Sequence, residues 1–329
     1  MRVSIIGAGG WGTALSIQAS TKNSVILWVY SEDEARPIRD RRVNEDYLPG
    51  INIPESIEVT TDVEKATKSD ILIFSVPTKF FRGVVKKFKE YIVKNQIVVS
   101  ASKGFEYPSE MRMSEILKEE IPQAGAPVVI SGPSHAEEVA REVPTSVVAA
   151  SYDENKAEVV QKVLSTESFR LYRNNDVVGV EISAAVKNVI AIAAGIVRGL
   201  GFGDNTMAAL ITRGLAEIKR FGLKMGAKNE TFLGLAGAGD LIVTCISHHS
   251  RNGRVGEELA KGKNIQQILA STKMVAEGVD TVKSIVNFEK EYNIEMPISH
   301  AVYDIIYNQK KPYEALKGLM TRPLKNEFE

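Results

Sequence analysis

The sequence predicts an N-terminal doubly wound α/β domain followed by an all-helical domain, and three observations carry that expectation. Short β-branched runs alternate with amphipathic segments through the first half of the chain. A glycine-rich turn directly follows the first of those runs. Strand signals stop after residues 169–172, and helical periodicity continues to the end. A chain of 329 residues suits two cores, since compact domains usually hold about 100–200 residues. The division is expected near Asp176, giving domains 1–175 and 176–329.

Taken in order, the candidate strands are 3–6, 25–29, 57–60, 71–76, 97–101, 128–131 and 147–150. Helical patterns fill the gaps at 11–20, 79–91, 109–120, 134–141 and 153–164, so the sheet should be mainly parallel. The apolar segment 177–197 is expected as a central helix, with further helices at 206–225, 279–292 and 299–307. Glu181, Ser183, Lys187 and Asn188 interrupt that apolar segment, and no stretch approaches the roughly 20 uninterrupted apolar residues of an integral membrane span.

Composition narrows the function. Hydrophobic residues make up 44% and charged residues 25%, a balance that buries sizeable cores and argues against disorder. The 41 basic residues cancel the 41 acidic ones, so no global field draws the chain to nucleic acid or an anionic membrane. An anionic ligand must therefore be held by locally placed groups. The single cysteine, Cys245, rules out an intrachain disulfide framework and fits a reducing compartment. Met1 leads straight into a strand-like run without a signal-peptide h-region, so the expected location is the cytoplasm. His135, His248, His249 and His300 make no ligand spacing such as H-E-x-x-H, and no metal is expected.

Gly7-Ala8-Gly9-Gly10-Trp11-Gly12 is a G-x-G-x-x-G between a strand and a helix. In that setting Gly7 permits the tight turn, Gly9 lets backbone approach a pyrophosphate, and Gly12 allows the helix to pack on the strand. Free N–H groups and the positive dipole end at the helix start would receive the phosphates. The motif indicates a dinucleotide and leaves the substrate open.

Four polar clusters offer chemistry. Lys103-Gly104 follows the strand 97–101, where open parallel sheets place their ligands, although a solvated loop lysine reads the same way. Ser131-Gly132-Pro133-Ser134 ends a strand, with Ser134 either a helix N-cap or a ligand contact. Lys187 sits beside Asn188 in the apolar segment. Burial there would lower its pKa into the range of a proton donor and acceptor, or it serves a buried ion pair. Gly237-Ala238-Gly239-Asp240, Thr244 and Ser250-Arg251-Asn252 form the densest cluster, where Arg251 presents a planar fork for phosphate oxygens or opens a capped surface helix.

With these residues in view, the whole chain resembles the bacterial NAD(P)-dependent glycerol-3-phosphate dehydrogenases. The matching stretches are Gly7–Gly12 with Thr13-Ala14-Leu15, Lys103-Gly104, Ser131–Ser134, and 185–191 around Lys187-Asn188. Further on they are 211–217, 237–241 with Thr244-Cys245, Ser250–Asn252, and Val275-Ala276-Glu277-Gly278. The resemblance implies a Rossmann domain followed by an all-α domain like the C-terminal domain of 6-phosphogluconate dehydrogenase. It implies reduction of dihydroxyacetone phosphate to sn-glycerol 3-phosphate for phospholipid synthesis, with NADP or NAD as cofactor. It makes Lys187 the proton donor and acceptor, with Lys103, Asp240 and Thr244 beside it in the catalytic set. Substrate contacts fall on Lys103, Gly132, Ser134, Lys187, Asp240, Ser250, Arg251 and Asn252. Cofactor contacts fall on Gly7, Gly9, Gly10, Trp11, Gly12, Lys103, Ala136, Arg251, Val275 and Glu277. A homodimer is compatible with this reading. His135 departs from the family, which usually has Phe at that position.

Two other classes compete: a β-hydroxyacid or 6-phosphogluconate dehydrogenase relative, and an NAD(P)-binding sensor without turnover. The Gly-Ala-Gly-Asp and Ser-Arg-Asn stretches favour the triose phosphate, and Lys187 with Asp240 would be superfluous in a sensor. Cofactor choice turns on the end of the second strand, where NAD-selective sites carry Asp or Glu about 20 residues past the glycines. Tyr30 and Ser31 hold that place. Glu32 and Asp33 follow closely, and Arg36, Arg39, Arg41 and Arg42 supply cations for a 2′-phosphate. NADPH is therefore expected to serve at least as well as NADH.

Overall fold

The structure, a computed structural model, describes residues 1–272 and 275–327. Its strands are β1 (Arg2–Ile6), β2 (Ser24–Trp28), β3 (Val43–Asn44), β4 (Leu48–Asn52), β5 (Ile57–Thr60), β6 (Ile71–Phe74), β7 (Ile97–Ser100), β8 (Val128–Ser131), β9 (Thr145–Ala150) and β10 (Phe169–Asn174). Between them lie α1 (Gly10–Ser20), α2 (Glu32–Arg41), α3 (Val63–Thr67), α4 (Thr78–Phe88), α5 (Met113–Glu120), α6 (Ala136–Val139) and α7 (Glu154–Leu164). After β10 every regular element among the described residues is helical. These are α8 (Val177–Gly199), α9 (Asp204–Lys224), α10 (Asp240–Ile246), α11 (Arg251–Ala260), α12 (Ile265–Ala270), α13 (Glu277–Tyr292), α14 (Pro297–Tyr307) and α15 (Pro312–Met320).

Eight strands make one sheet in the order β10-β9-β8-β7-β6-β1-β2-β5, parallel throughout except between β8 and β9. The expected doubly wound fold is therefore present. All four residues of β6 and of β8 are buried, as both faces of such a sheet are covered by helices. Leu15 of α1 and Leu164 of α7 join the core on one face, while Phe81, Phe88 and Leu117 of α4 and α5 join the core on the other. From β1 the chain winds outward through β2 to β5 and then returns to β6 on the far side. That reversal opens a crevice beyond the C-terminal ends of β1 and β6.

α8 is the axis of the helical part. Asp176 caps it by accepting the Gly179 amide at 2.9 Å. Its residues are long and apolar enough to cross a membrane, and they are buried by the helices around them. Two of those helices cross at glycines. A Cβ on Gly195 would overlap the Gly253 carbonyl, one on Gly256 would overlap the Ile192 carbonyl, and one on Gly278 would sit 2.6 Å from the Asn188 carbonyl oxygen. Backbone thus meets backbone where α11 and α13 lie on α8.

Several expectations need local correction. The helix expected at 109–120 starts at Met113, because Phe105 and Arg112 pair as a β-bridge and the Glu115 carboxylate accepts the Arg112 amide at 2.8 Å. The helix expected at 134–141 is a single turn, with His135 as its N-cap residue. Ser134 does not cap it, since its hydroxyl donates instead to the Gly132 carbonyl at 2.8 Å. Ser250 does cap α11, accepting the Gly253 amide at 3.1 Å.

Candidate active site

The glycine loop lies in the crevice as its motif requires. Gly7 has φ +110°, and a Cβ there would meet the Ser75 carbonyl oxygen at 2.6 Å. A Cβ on Gly12 would overlap the Gly7 carbonyl, so these two glycines shape the turn and α1. Around a Cβ built on Gly9 nothing among the described residues lies within 4 Å, the open approach that a pyrophosphate needs. Asn44 of the β3–β4 hairpin steadies the loop, donating to the Ala8 carbonyl at 2.7 Å and the Thr13 hydroxyl at 2.9 Å. A Cβ on Gly10 would meet Tyr47 and Arg251, so the hairpin and the start of α11 wall that side.

The polar clusters converge in the cleft beside this loop. Lys187 from the middle of α8 donates to Asp240 Oδ1 at 2.6 Å and to the Thr244 hydroxyl at 2.9 Å. Lys103, from the loop after β7, donates to Asp240 Oδ2 at 3.0 Å and to the Gly132 carbonyl at 3.1 Å. One carboxylate at the start of α10 therefore holds two ammonium groups in place. Burial pulls the pKa of Lys187 down to about 8, with Asp240 opposing the shift and Lys103 adding to it. Burial works against the Asp240 carboxylate, but Lys103 and Lys187 together keep it below its ordinary range.

Arg251 stands at the first position of α11, mostly buried, and makes no hydrogen bond or ion pair among the described residues. Its guanidinium fork is free for an anion. Asn252 is less free: it donates to the Asn188 side chain at 3.0 Å and accepts the Gly278 amide at 3.0 Å, tying α8, α11 and α13 together. Glu277 closes the cleft from α13, and its carboxylate accepts the Thr78 amide at 3.0 Å and the Thr78 hydroxyl at 2.5 Å. Ala136 and Val275 line the same cleft, as does Trp11, whose buried indole N–H has no partner among the described residues.

Tyr30 and Ser31 lie outside this lining, at the end of β2. Tyr30 is exposed, while Ser31 caps α2. Sequence reasoning named Ser131 within its cluster but gave it no role, and its hydroxyl lies 3.4 Å from Asp240. It missed the hairpin residues Asn44 and Tyr47, neither of which sits in a motif with chemistry of its own. His135 also lines the cleft, with its ring 5.9 Å from that of His249. Burial first, and then the charge of Lys187, push its pKa down.

Comparisons with known proteins agree over the whole chain. Residues 2–157 match the family model for the NAD-dependent glycerol-3-phosphate dehydrogenase N-terminus, and residues 176–317 match the model for its C-terminus. The chain is 48% identical over 330 residues to a glycerol-3-phosphate dehydrogenase [NAD(P)+] of Thermoanaerobacter sp., covering 100% of this chain and 99% of that protein. It is 46% identical over 332 residues to the protein of the same name from Pelotomaculum thermopropionicum, covering 100% and 95%. The crystal structure of glycerol-3-phosphate dehydrogenase from Coxiella burnetii superposes with a TM-score of 0.93 at 35% identity, over 98% of this chain and 99% of that one. With the glycine loop, the two-lysine carboxylate and the crossing of α8 and α11 all in place, these matches settle the lineage: the chain belongs to the NAD-dependent glycerol-3-phosphate dehydrogenase family.

Proposed function

We propose that this chain catalyses the reversible reduction of dihydroxyacetone phosphate to sn-glycerol 3-phosphate with NADPH or NADH. The observation that carries the reading is the Lys187–Asp240–Lys103 cluster in one cleft with Arg251, which is unpaired among the described residues. A ketone and a phosphate need those two kinds of group in one cleft. The residues present fit the cofactor, given the open face of Gly9, the N-terminus of α1 and the partnerless indole N–H of Trp11. Gly9, Gly10, Trp11, Ala136, Val275 and Glu277 would hold it, and when bound it supplies the hydride.

As the ketone carbon accepts that hydride, negative charge grows on its oxygen. The Lys187 ammonium stabilises the charge and then gives up a proton from Nζ. Asp240 stays ionised, orients Lys187, and through Lys103 keeps a second positive charge nearby. Arg251 binds the phosphate bidentately, helped by the amide end of α11. Ser250 and Asn252 act chiefly by fixing that helix end, and Thr244 receives a Lys187 proton donor and fixes its rotamer. In reverse, neutral Lys187 removes the hydroxyl proton.

This reading makes residues 1–175 the cofactor domain and 176–329 the substrate domain, with Val275 and Glu277 of the second reaching the cofactor and Lys103 of the first reaching the substrate. It places the enzyme in the cytoplasm, supplying glycerophospholipid backbones, without a nucleic-acid partner and with a homodimer compatible. The test compares nicotinamide oxidation rates with dihydroxyacetone phosphate, dihydroxyacetone and a 3-oxo acid. A clear preference for dihydroxyacetone phosphate is expected, and equal or faster turnover of the acid would overturn the substrate assignment.

A further inference from the structure

We infer that Lys87, on α4, receives the 2′-phosphate of NADPH and thereby sets cofactor choice; the inference rests on the NAD(P)-dependent reading above. In doubly wound dinucleotide folds the group facing the ribose 2′ position stands at the end of the second strand. Here that strand is β2, which ends at Trp28, and Tyr30 follows with its ring exposed. The Lys87 ammonium lies over the Tyr30 ring, 4.0 Å from its centroid. It makes no hydrogen bond or ion pair among the described residues. A cation is thus already seated at the place where the two cofactors differ, held on an aromatic face rather than by a carboxylate.

The nearer groups in the sequence are occupied. The Ser31 hydroxyl accepts the Glu34 amide at 3.4 Å as the cap of α2. Glu32 pairs with Arg39 and accepts the Thr61 hydroxyl at 3.4 Å, so it is not a free carboxylate able to exclude a 2′-phosphate. Arg42 is turned away, donating to the carbonyls of Ile53, Pro54 and Ile57. Asp33 and Glu34, in the first turn of α2, oppose an incoming phosphate and limit the gain. With Arg39 paired to Glu32, Arg36 and Arg41 are the remaining arginine candidates of α2, and Arg36 serves as the comparison.

The experiment measures NADPH and NADH binding by nicotinamide fluorescence, together with kcat/KM for each at one fixed concentration of dihydroxyacetone phosphate. The parent is expected to accept NADPH at least as well as NADH. Lys87→Ala should lower the NADPH-to-NADH ratio about fivefold to tenfold with NADH little changed, and Lys87→Arg should keep the parent ratio. Raising the ionic strength should shrink the difference between parent and variant, as for any exposed ion pair. An unchanged ratio, an equal loss for both cofactors, or a ratio moved by Arg36→Ala and not by Lys87→Ala would overturn the assignment. Binding needs no substrate, so inactivity toward dihydroxyacetone phosphate would count against the proposed reaction and leave the Lys87 result readable.

Discussion

Lys187 is set apart from an ordinary lysine by what its neighbours do to its proton. Burial brings its pKa to about 8, while Asp240 keeps it charged at neutral pH. Ketone reduction needs the ammonium and alcohol oxidation needs the amine. Reduction kcat should therefore fall as pH rises through about 8, and oxidation kcat should rise over the same range. Two pH–rate profiles check this, and a reduction rate that stays flat to pH values well above 8 would remove Lys187 from the proton transfer. Arg251 acts differently, because its fork contributes binding. Arg251→Ala should raise the KM for dihydroxyacetone phosphate by roughly 10–100-fold, the effect of losing a charge-assisted bidentate contact of about 1.5–3 kcal/mol. Turnover of phosphate-free dihydroxyacetone should change little, and equal losses with both substrates would refute a phosphate role.

At the scale of elements, the active site is a by-product of how closely α11 and α13 approach α8. Gly256→Ala would push its new methyl against the Ile192 carbonyl, forcing α11 away and moving Arg251 with it. We expect a stability loss of about 1–3 kcal/mol, as for other overpacked cores, with a raised KM for dihydroxyacetone phosphate. Denaturant midpoints and steady-state kinetics on one preparation check both, and an unchanged KM would uncouple the crossing from the site. The sheet and α8 are legible in the sequence because buried strands and a buried axial helix leave long apolar signatures. The β3–β4 hairpin is not, since Leu48-Pro49-Gly50-Ile51-Asn52 mixes turn formers with apolar residues. Helix α2 is hidden by its charge and by Pro37, as only Ala35 and Ile38 are buried. The members of the catalytic cluster are separately visible as unusual polar residues. Their convergence is not, because Lys103, Lys187 and Asp240 are brought together only by the docking of α8 and α10 against the sheet's C-terminal edge.

The whole molecule carries a pH sensitivity remote from the cleft. Glu217 of α9 is buried, and its carboxylate accepts the Ile298 amide at 2.5 Å, the Ser299 amide at 3.2 Å and the Ser299 hydroxyl at 3.1 Å at the start of α14. Burial raises its pKa from 4.5 to about 7, against those hydrogen bonds. The folded state therefore binds this proton more tightly than the unfolded chain. Its stabilising contribution is complete below pH 4.5 and is lost as pH rises to about 7. At 1.36 kcal/mol per pKa unit the loss is on the order of 3 kcal/mol. Glu217→Gln should flatten the fall in unfolding free energy over that range, measured by denaturant titration at several pH values. Parallel curves for parent and variant would assign the sensitivity to other groups.

The central claim is that one buried lysine supplies the proton for reduction of dihydroxyacetone phosphate, and Lys187→Met tests it most directly, because methionine keeps the length and loses the proton. The measurement is dihydroxyacetone phosphate-dependent loss of NAD(P)H absorbance in parent and variant, with cofactor affinity determined on the same samples. The account predicts unchanged cofactor binding and turnover lower by about 10²–10⁴-fold, the usual contribution of a general acid. A folded variant that binds cofactor and turns over within a few-fold of the parent would contradict it.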